Sequence, residues 1–212
     1  MTSLGVLGGT FDPVHTGHLA VARQCRELLG LDRVLLVPSF QPPHRNPPEA
    51  GPQDRLAMTR LAVAGIEGLA VDDLEVLREG VSYAVDTLTD LRRRDPGGEV
   101  VLLLGQDAAL EFATWHQPAE IGRLARLAVF NRAGSAALSP GGLEAAGLPA
   151  DATLLEVDSP LVSATEIRRR LAAGEDLEGM LAASVLAYIR ERGLYGHGHR
   201  APRNPPVIIR GE

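Results

Sequence analysis

The chain has 212 residues, 21 of them basic and 27 acidic, giving a formal net charge of −6 with histidines neutral. An acidic chain offers no general field to attract nucleic acid or an anionic membrane surface. Every basic residue is arginine, which excludes Schiff-base chemistry and the lysine of a Walker loop. A hydrophobic content of 45% with 23% charged residues suits one globular domain, and a chain this long buries roughly 70% of its unfolded surface. No apolar stretch reaches the roughly 18 to 20 residues of a membrane span, and no basic-then-apolar segment opens the chain. A cytoplasmic protein with neither membrane nor nucleic-acid partners is therefore expected. Cys25, the single cysteine, lies among Val21, Leu28 and Leu29 at helical spacing and reads as a buried small hydrophobe rather than a nucleophile.

In chain order, Leu4 to Leu7 is an apolar run ending in Gly8-Gly9, and from Gly17 onward Val21, Cys25, Leu28 and Leu29 mark one helix face. This predicts a strand, a glycine turn and a helix. Val34 to Val37 forms the next strand, stopped by Pro38, and Gln41 to Pro52 carries five prolines, as expected of a mobile loop over a site. A helix over Asp54 to Ala64 and a short strand at Leu69 to Val71 follow. Val85, Leu88 and Leu91 line a helix that ends before Asp95-Pro96-Gly97-Gly98. Val100 to Leu104, Leu127 to Phe130 and Leu154 to Val157 are of strand length, with a Gly, Ala and Pro-rich connection from Ala133 to Ala150. Ser163 and Glu166 fit a capping box, and Val185, Tyr188 and Ile189 suggest a last helix. Strands alternating with helices predict an α/β protein built on an open, doubly wound parallel sheet in a single domain over residues 1–195. Residues 196–212 lose periodicity and are expected to form a flexible tail, whose His197-Gly198-His199 reads as terminus rather than metal site.

The segment from Gly8 to His18 is the most informative. In an open parallel sheet a ligand lies beyond the carboxyl ends of the strands, where this first turn falls, and glycines let backbone amides approach a phosphate. His15 and His18, three residues apart at a helix start, share one face and can donate to phosphate oxygens. On these residues alone a strand-to-helix turn with one capping and one partly buried histidine explains the pattern equally well. Zinc would need more ligands than Asp12 adds, and no GxGxxG fingerprint is present. Asp107 follows an apolar strand and Gly105, where it either meets a ligand ribose or caps the next helix.

The glycine turn, His15-Thr16-Gly17-His18 and Ser163-Ala164-Thr165-Glu166-Ile167-Arg168 together resemble the nucleotidyltransferase superfamily. Pro42-Pro43-His44-Arg45, Arg55-Leu56-Ala57-Met58, Ser82 to Leu88, Gly105-Gln106-Asp107-Ala108, Trp115-His116 and Gly193-Leu194-Tyr195 make the chain similar to the bacterial nicotinate-nucleotide adenylyltransferases, over residues 4–195.

The resemblance implies that the 5′-phosphate of nicotinate mononucleotide attacks the α-phosphorus of ATP, with magnesium accompanying ATP and no covalent enzyme intermediate. Such a reaction needs positioning and stabilisation of phosphate charge. By resemblance, His18 stabilises the α-phosphate and His15 places the triphosphate, supported by Gly9, Thr10 and Phe11. Arg45 stands where the family carries a basic residue, often lysine. Ser163, Thr165 and Arg168 fall to the triphosphate, with Ala164 where a serine is frequent, and Gly105 and Asp107 fall to the ATP half. His44, Tyr83, Ala84, Thr87, Trp115 and His116 are assigned to the acceptor, while Arg55 and Met58 support the loop. No protein-held metal is expected. Nicotinamide mononucleotide or phosphopantetheine as acceptor, and a regulatory module that binds nucleotide without turnover, are the alternatives.

Overall fold

The computed structural model describes residues 2–43, 47–132 and 139–196. Its centre is a six-stranded, all-parallel sheet of β1 (Ser3–Gly9), β2 (Arg33–Pro38), β3 (Leu69–Val71), β4 (Glu99–Gly105), β5 (Arg126–Arg132) and β6 (Thr153–Val157), in the order β3-β2-β1-β4-β5-β6. The helices are α1 (Thr16–Leu29), α2 (Pro52–Val63), α3 (Leu74–Arg78), α4 (Ala84–Arg94), α5 (Gln106–Leu110), α6 (Pro118–Leu124), α7 (Pro140–Ala145), α8 (Ala164–Ala173) and α9 (Ala183–Arg192). Short 3-10 turns cover Phe112–Thr114 and Leu194–Gly196.

The central strands are apolar without interruption because both of their faces are covered. Leu7, Val34, Leu36, Val101, Leu103 and Phe130 enter one core with Val21 of α1, Met58 of α2, Ile167 of α8 and Ile189 of α9. Their alternates Val6, Leu35, Val37, Leu102, Leu104 and Val129 enter a second core with Leu74, Leu88, Ala109, Ile121 and Leu143 of α3 to α7. Each fully buried Leu or Ile contributes on the order of 1.5–3 kcal/mol relative to exposure. The expected doubly wound sheet is thus observed. Winding runs outward from β1 to β3, then returns to β4 and continues to β6, so the carboxyl ends of β1 and β4 flank the point where the direction reverses.

Helices α3, α5, α6 and α7 were not legible as periodic runs. α3 and α5 have five residues each, too few for a pattern, and α6 and α7 each start with proline in the first turn. α7 lies inside the expected Ala133 to Ala150 connection, where the Ser139 hydroxyl accepts from Gly142 N at 3.2 Å and Leu143, Ala146 and Leu148 are buried. Cys25 is buried, as its spacing predicted. Among the described residues no helix is long and apolar enough to cross a membrane. The tail residues from 197 onward lie outside the described residues.

Candidate active site

Gly8 and Gly9 still belong to β1, and the reversal that follows is made by Phe11, which takes φ +49°. Gly9 therefore serves space rather than turning. A Cβ on Gly9 would stand 2.9 Å from the Phe11 ring, whereas one on Gly8 would meet nothing within 4 Å. His15 then caps α1 from an extended conformation. It is only 3% exposed, and its ring stacks on that of His18 with centroids 3.7 Å apart and planes 27° from parallel. His15 N donates to His18 Nδ1 at 3.2 Å, so a neutral His18 ring carries its proton on Nε2. The Phe11 ring meets His18 edge-on at 5.0 Å. Gly17 allows this stack, because a Cβ there would lie 3.1 Å from His15 Nδ1 and 3.3 Å from the Pro160 carbonyl.

Two buried side chains fix the turn. Arg55, fully buried on α2, donates to three backbone carbonyls: Thr10 at 2.7 Å, Phe40 at 2.9 Å and Ala50 at 3.1 Å. Burial pulls its pKa down, and neighbouring Asp12 opposes that pull. Asp12 accepts from Ala50 N, from Glu49 N at 2.8 Å and from the Tyr195 hydroxyl at 2.7 Å. Burial beside the Asp12 carboxylate pushes the Tyr195 phenol up. Arg168 NH1 reaches the Asp12 backbone carbonyl at 2.7 Å.

Two adjoining cavities open at the reversal point of the sheet. The larger, about 590 Å³, is lined by Gly8, Gly9, Ser39, Glu75, Ser82 to Ala84, Gly105 to Ala108, and Trp115-His116, among others. The smaller, about 460 Å³, is lined by Asp12, His15, Pro47, Pro48, Glu49, Ser163, Ala164 and Arg168. Thr10, Phe11 and His18 line both. His18 thus stands at their junction.

Of the residues expected at the site, Gly9, Thr10, Phe11, His15, His18, Tyr83, Ala84, Gly105, Asp107, Trp115, His116, Ser163 and Arg168 line one cavity or both. Tyr83 and His116 rings lie 4.5 Å apart, and half-buried Trp115 leans on Phe112 at 5.8 Å rather than disappearing into the core. Asp107 does not cap α5, since Gly105 holds that position. Two residues fall elsewhere. Thr87 is buried behind the wall, its hydroxyl donating to Glu75 Oε1 at 2.5 Å, and Thr165 is exposed on α8 outside both linings. The capping box at Ser163 is only half formed. Ser163 Oγ accepts from Glu166 N at 3.2 Å, but the Glu166 carboxylate pairs with Arg169 and Arg170, which hold its pKa down at about 2. His44 and Arg45 lie outside the described residues, although Pro42 and Pro43 line the larger cavity and Pro47 and Pro48 the smaller.

Sequence reasoning missed Ser39, Glu49, Glu75 and Ser82 as cavity residues, and missed Asp12 as the hub of the turn. A carboxylate directly before Pro13 in the His15-His18 turn was the available signal for Asp12. Among the described residues no group of three or more His, Cys, Asp or Glu side chains converges in a way that could hold a metal ion.

The cytidylyltransferase-like family profile matches residues 6–170. A protein of Pseudomonas syringae pv. tomato named probable nicotinate-nucleotide adenylyltransferase is 43% identical, the alignment covering 94% of each chain. One of Bordetella avium with the same name is 42% identical over 92% of this chain and 98% of its own. Plasmodium falciparum nicotinic acid mononucleotide adenylyltransferase complexed with NaAD shares the fold, with a TM-score of 0.76 at 17% identity over 93% of this chain and 98% of that one. Sheet order, histidine turn and these likenesses agree: the chain belongs to the cytidylyltransferase-like family and, within it, to the nicotinate-nucleotide adenylyltransferases.

Proposed function

We propose that this chain transfers the adenylyl group of ATP to nicotinate mononucleotide, giving nicotinate adenine dinucleotide and pyrophosphate. The observation that carries the reading is the position of His18, whose ring lines both cavities where they meet. An in-line displacement needs its donor at the point where attacking and leaving oxygens flank one phosphorus, with a separate compartment on each side. A phosphate oxygen of the acceptor forms a bond to the α-phosphorus, the bond from that phosphorus to the oxygen bridging the α- and β-phosphates breaks, and pyrophosphate departs with that oxygen. No enzyme atom becomes bonded to phosphorus.

In this reading His18 donates through Nε2 to the α-phosphate, and buried His15 holds the His18 ring by stacking and through its own backbone N–H. Arg168 and the start of α8 at Ser163 serve the triphosphate, where guanidinium and helix dipole both favour negative charge. Tyr83, Ala84, Trp115 and His116 serve the acceptor. The amide end of α4 at Ala84 suits an anionic ring substituent, which favours nicotinate over nicotinamide. Magnesium enters with ATP. Of the carboxylates lining the smaller cavity, Asp12 already accepts from Ala50 N, Glu49 N and Tyr195 and Glu49 pairs with Arg168, so the ion would be held chiefly by the phosphates it accompanies.

The test is pyrophosphate release by the purified chain with ATP and magnesium, comparing nicotinate mononucleotide, nicotinamide mononucleotide and phosphopantetheine. Strong preference for the first is expected. Preference for another acceptor overturns the assignment of the larger cavity, and ATP binding without turnover on any acceptor points to a regulatory module.

A further inference from the structure

Glu75 on α3 lines the larger cavity, yet it is only 6% exposed, and no requirement of packing explains a carboxylate there. Burial pushes its pKa up, while the hydrogen bond from Thr87 and the charge of Arg78 pull it back. The wiring around it is directional. The Thr87 hydroxyl donates to Glu75 Oε1 and, on its own oxygen, accepts from Arg78 NH2 at 3.2 Å. The same hydroxyl lies 3.4 Å from the Tyr83 carbonyl and so ties Glu75 to the start of α4, while the Ser82 hydroxyl accepts from Phe40 N at 2.9 Å. Ser82 N donates in turn to the Gln41 carbonyl at 2.9 Å, Gln41 bridges Val81, and the Phe40 carbonyl accepts from Arg55.

A carboxylate is acceptor-only. The Thr87 hydroxyl therefore spends its single proton on Glu75, which leaves its oxygen as acceptor for Arg78. A neutral amide in its place has a single carbonyl oxygen beside an NH2 group and draws that proton without a full negative charge. We propose that Glu75 is a positioning residue for the acceptor half of the site: by setting the direction of Thr87 it holds the start of α4 at Tyr83–Ala84, and so shapes the wall on which the acceptor nucleotide lies. The inference rests on the reading that the larger cavity takes nicotinate mononucleotide. Glu75 lines that cavity and not the smaller one, so its influence is one-sided.

The experiment is steady-state pyrophosphate release by the full chain, varying nicotinate mononucleotide and ATP separately, for wild type, Glu75→Gln, Thr87→Val and Thr87→Ser. Loss of such a charge-assisted network is expected to raise the KM for nicotinate mononucleotide about tenfold in Glu75→Gln and Thr87→Val, leaving the KM for ATP within about twofold. Thr87→Ser, which keeps the hydroxyl, stays close to wild type. Thr87→Val preserves volume and carries the test should Glu75→Gln not fold. The proposal is overturned if both KM values rise together, if only kcat falls, or if Thr87→Ser behaves like Thr87→Val. A wild-type chain inert towards nicotinate mononucleotide overturns the functional reading and this inference with it. Normal wild-type turnover with an acceptor KM unmoved in the variants overturns this inference alone.

Discussion

Arg168 Nε donates to Glu49 Oε1 at 2.6 Å, so the guanidinium of the smaller cavity is already engaged by an anion from the proline-rich segment. The Glu49 carboxylate is more than half exposed and can leave without desolvation cost, whereas Arg168 stays tied to the Asp12 carbonyl. Glu49 thus competes with phosphate for one cation. An exposed pair of this kind is worth about 0.2–1 kcal/mol, so Glu49→Ala should lower the KM for ATP by up to about fivefold. Arg168→Ala should raise it by about tenfold or more, since charged hydrogen bonds to phosphate are lost. Initial rates at varied ATP check both signs; an unchanged or higher KM in Glu49→Ala refutes the competition.

His18→Ala should lower kcat by about a hundredfold to a thousandfold, the range for removing one preorganised donor at a developing charge. The KM for either substrate should move little by comparison. His18 is only partly buried, so the variant should keep its fold, and far-ultraviolet circular dichroism with single-turnover rates separates lost chemistry from lost structure.

Arg55→Met should destabilise the protein by about 3–5 kcal/mol, because three carbonyls that now accept from one buried guanidinium lose their donor. Arg55→Lys should recover little of this, as a single ammonium cannot reproduce the planar fork that reaches Thr10, Phe40 and Ala50 together. Urea midpoints of the three proteins decide it. Equal stability of the Lys variant and wild type would show that charge, not geometry, is what the site needs.

Burial pushes the Cys25 thiol from its ordinary 9.0 up to about 12, so the folded state favours the neutral form. The stability this contributes is complete below pH 9 and is lost as pH rises from 9 towards 12, at up to about 1.4 kcal/mol per pH unit while the unfolded chain alone ionises. Tyr195, raised by burial and Asp12, acts with the same sign. Thermal midpoints measured from pH 7 to 11 should fall more steeply for wild type than for Cys25→Ala. Parallel curves would dismiss the contribution of the thiol.

The parallel sheet could be read in the sequence because β1, β2 and β4 are apolar runs stopped by Gly or Pro, and β5 holds a run of similar length. The histidine turn was legible because its spacing places both rings on one face at a helix start. Neither the stacked geometry nor the burial of His15 follows from spacing alone; the stack needs the space Gly17 leaves between His15 and the distant Pro160 carbonyl. Thr87 looked like a ligand residue because it follows Tyr83 and Ala84 in one motif. Yet it sits one helical turn inside α4 and turns its hydroxyl to Glu75, a partner twelve residues away that carries no local pattern. Glu49 and Asp12 were hidden for the same reason: their roles are set by backbone groups and cations brought in from other elements.

The turn that carries His15 and His18 is translated long before the residues that clamp it. Thr16 N donates to the Met180 carbonyl at 3.0 Å, the Thr16 hydroxyl to Gly179 at 2.9 Å, and Tyr195 to Asp12 across 183 positions of sequence. A nascent chain can therefore pair β1 with β2 and β4 early while its nucleotide site stays unfinished until residues 179–195 have left the ribosome. Fragments halted before that point are expected to retain a sheet and lack an enzyme, so that partially synthesised molecules draw nothing from the cell's ATP.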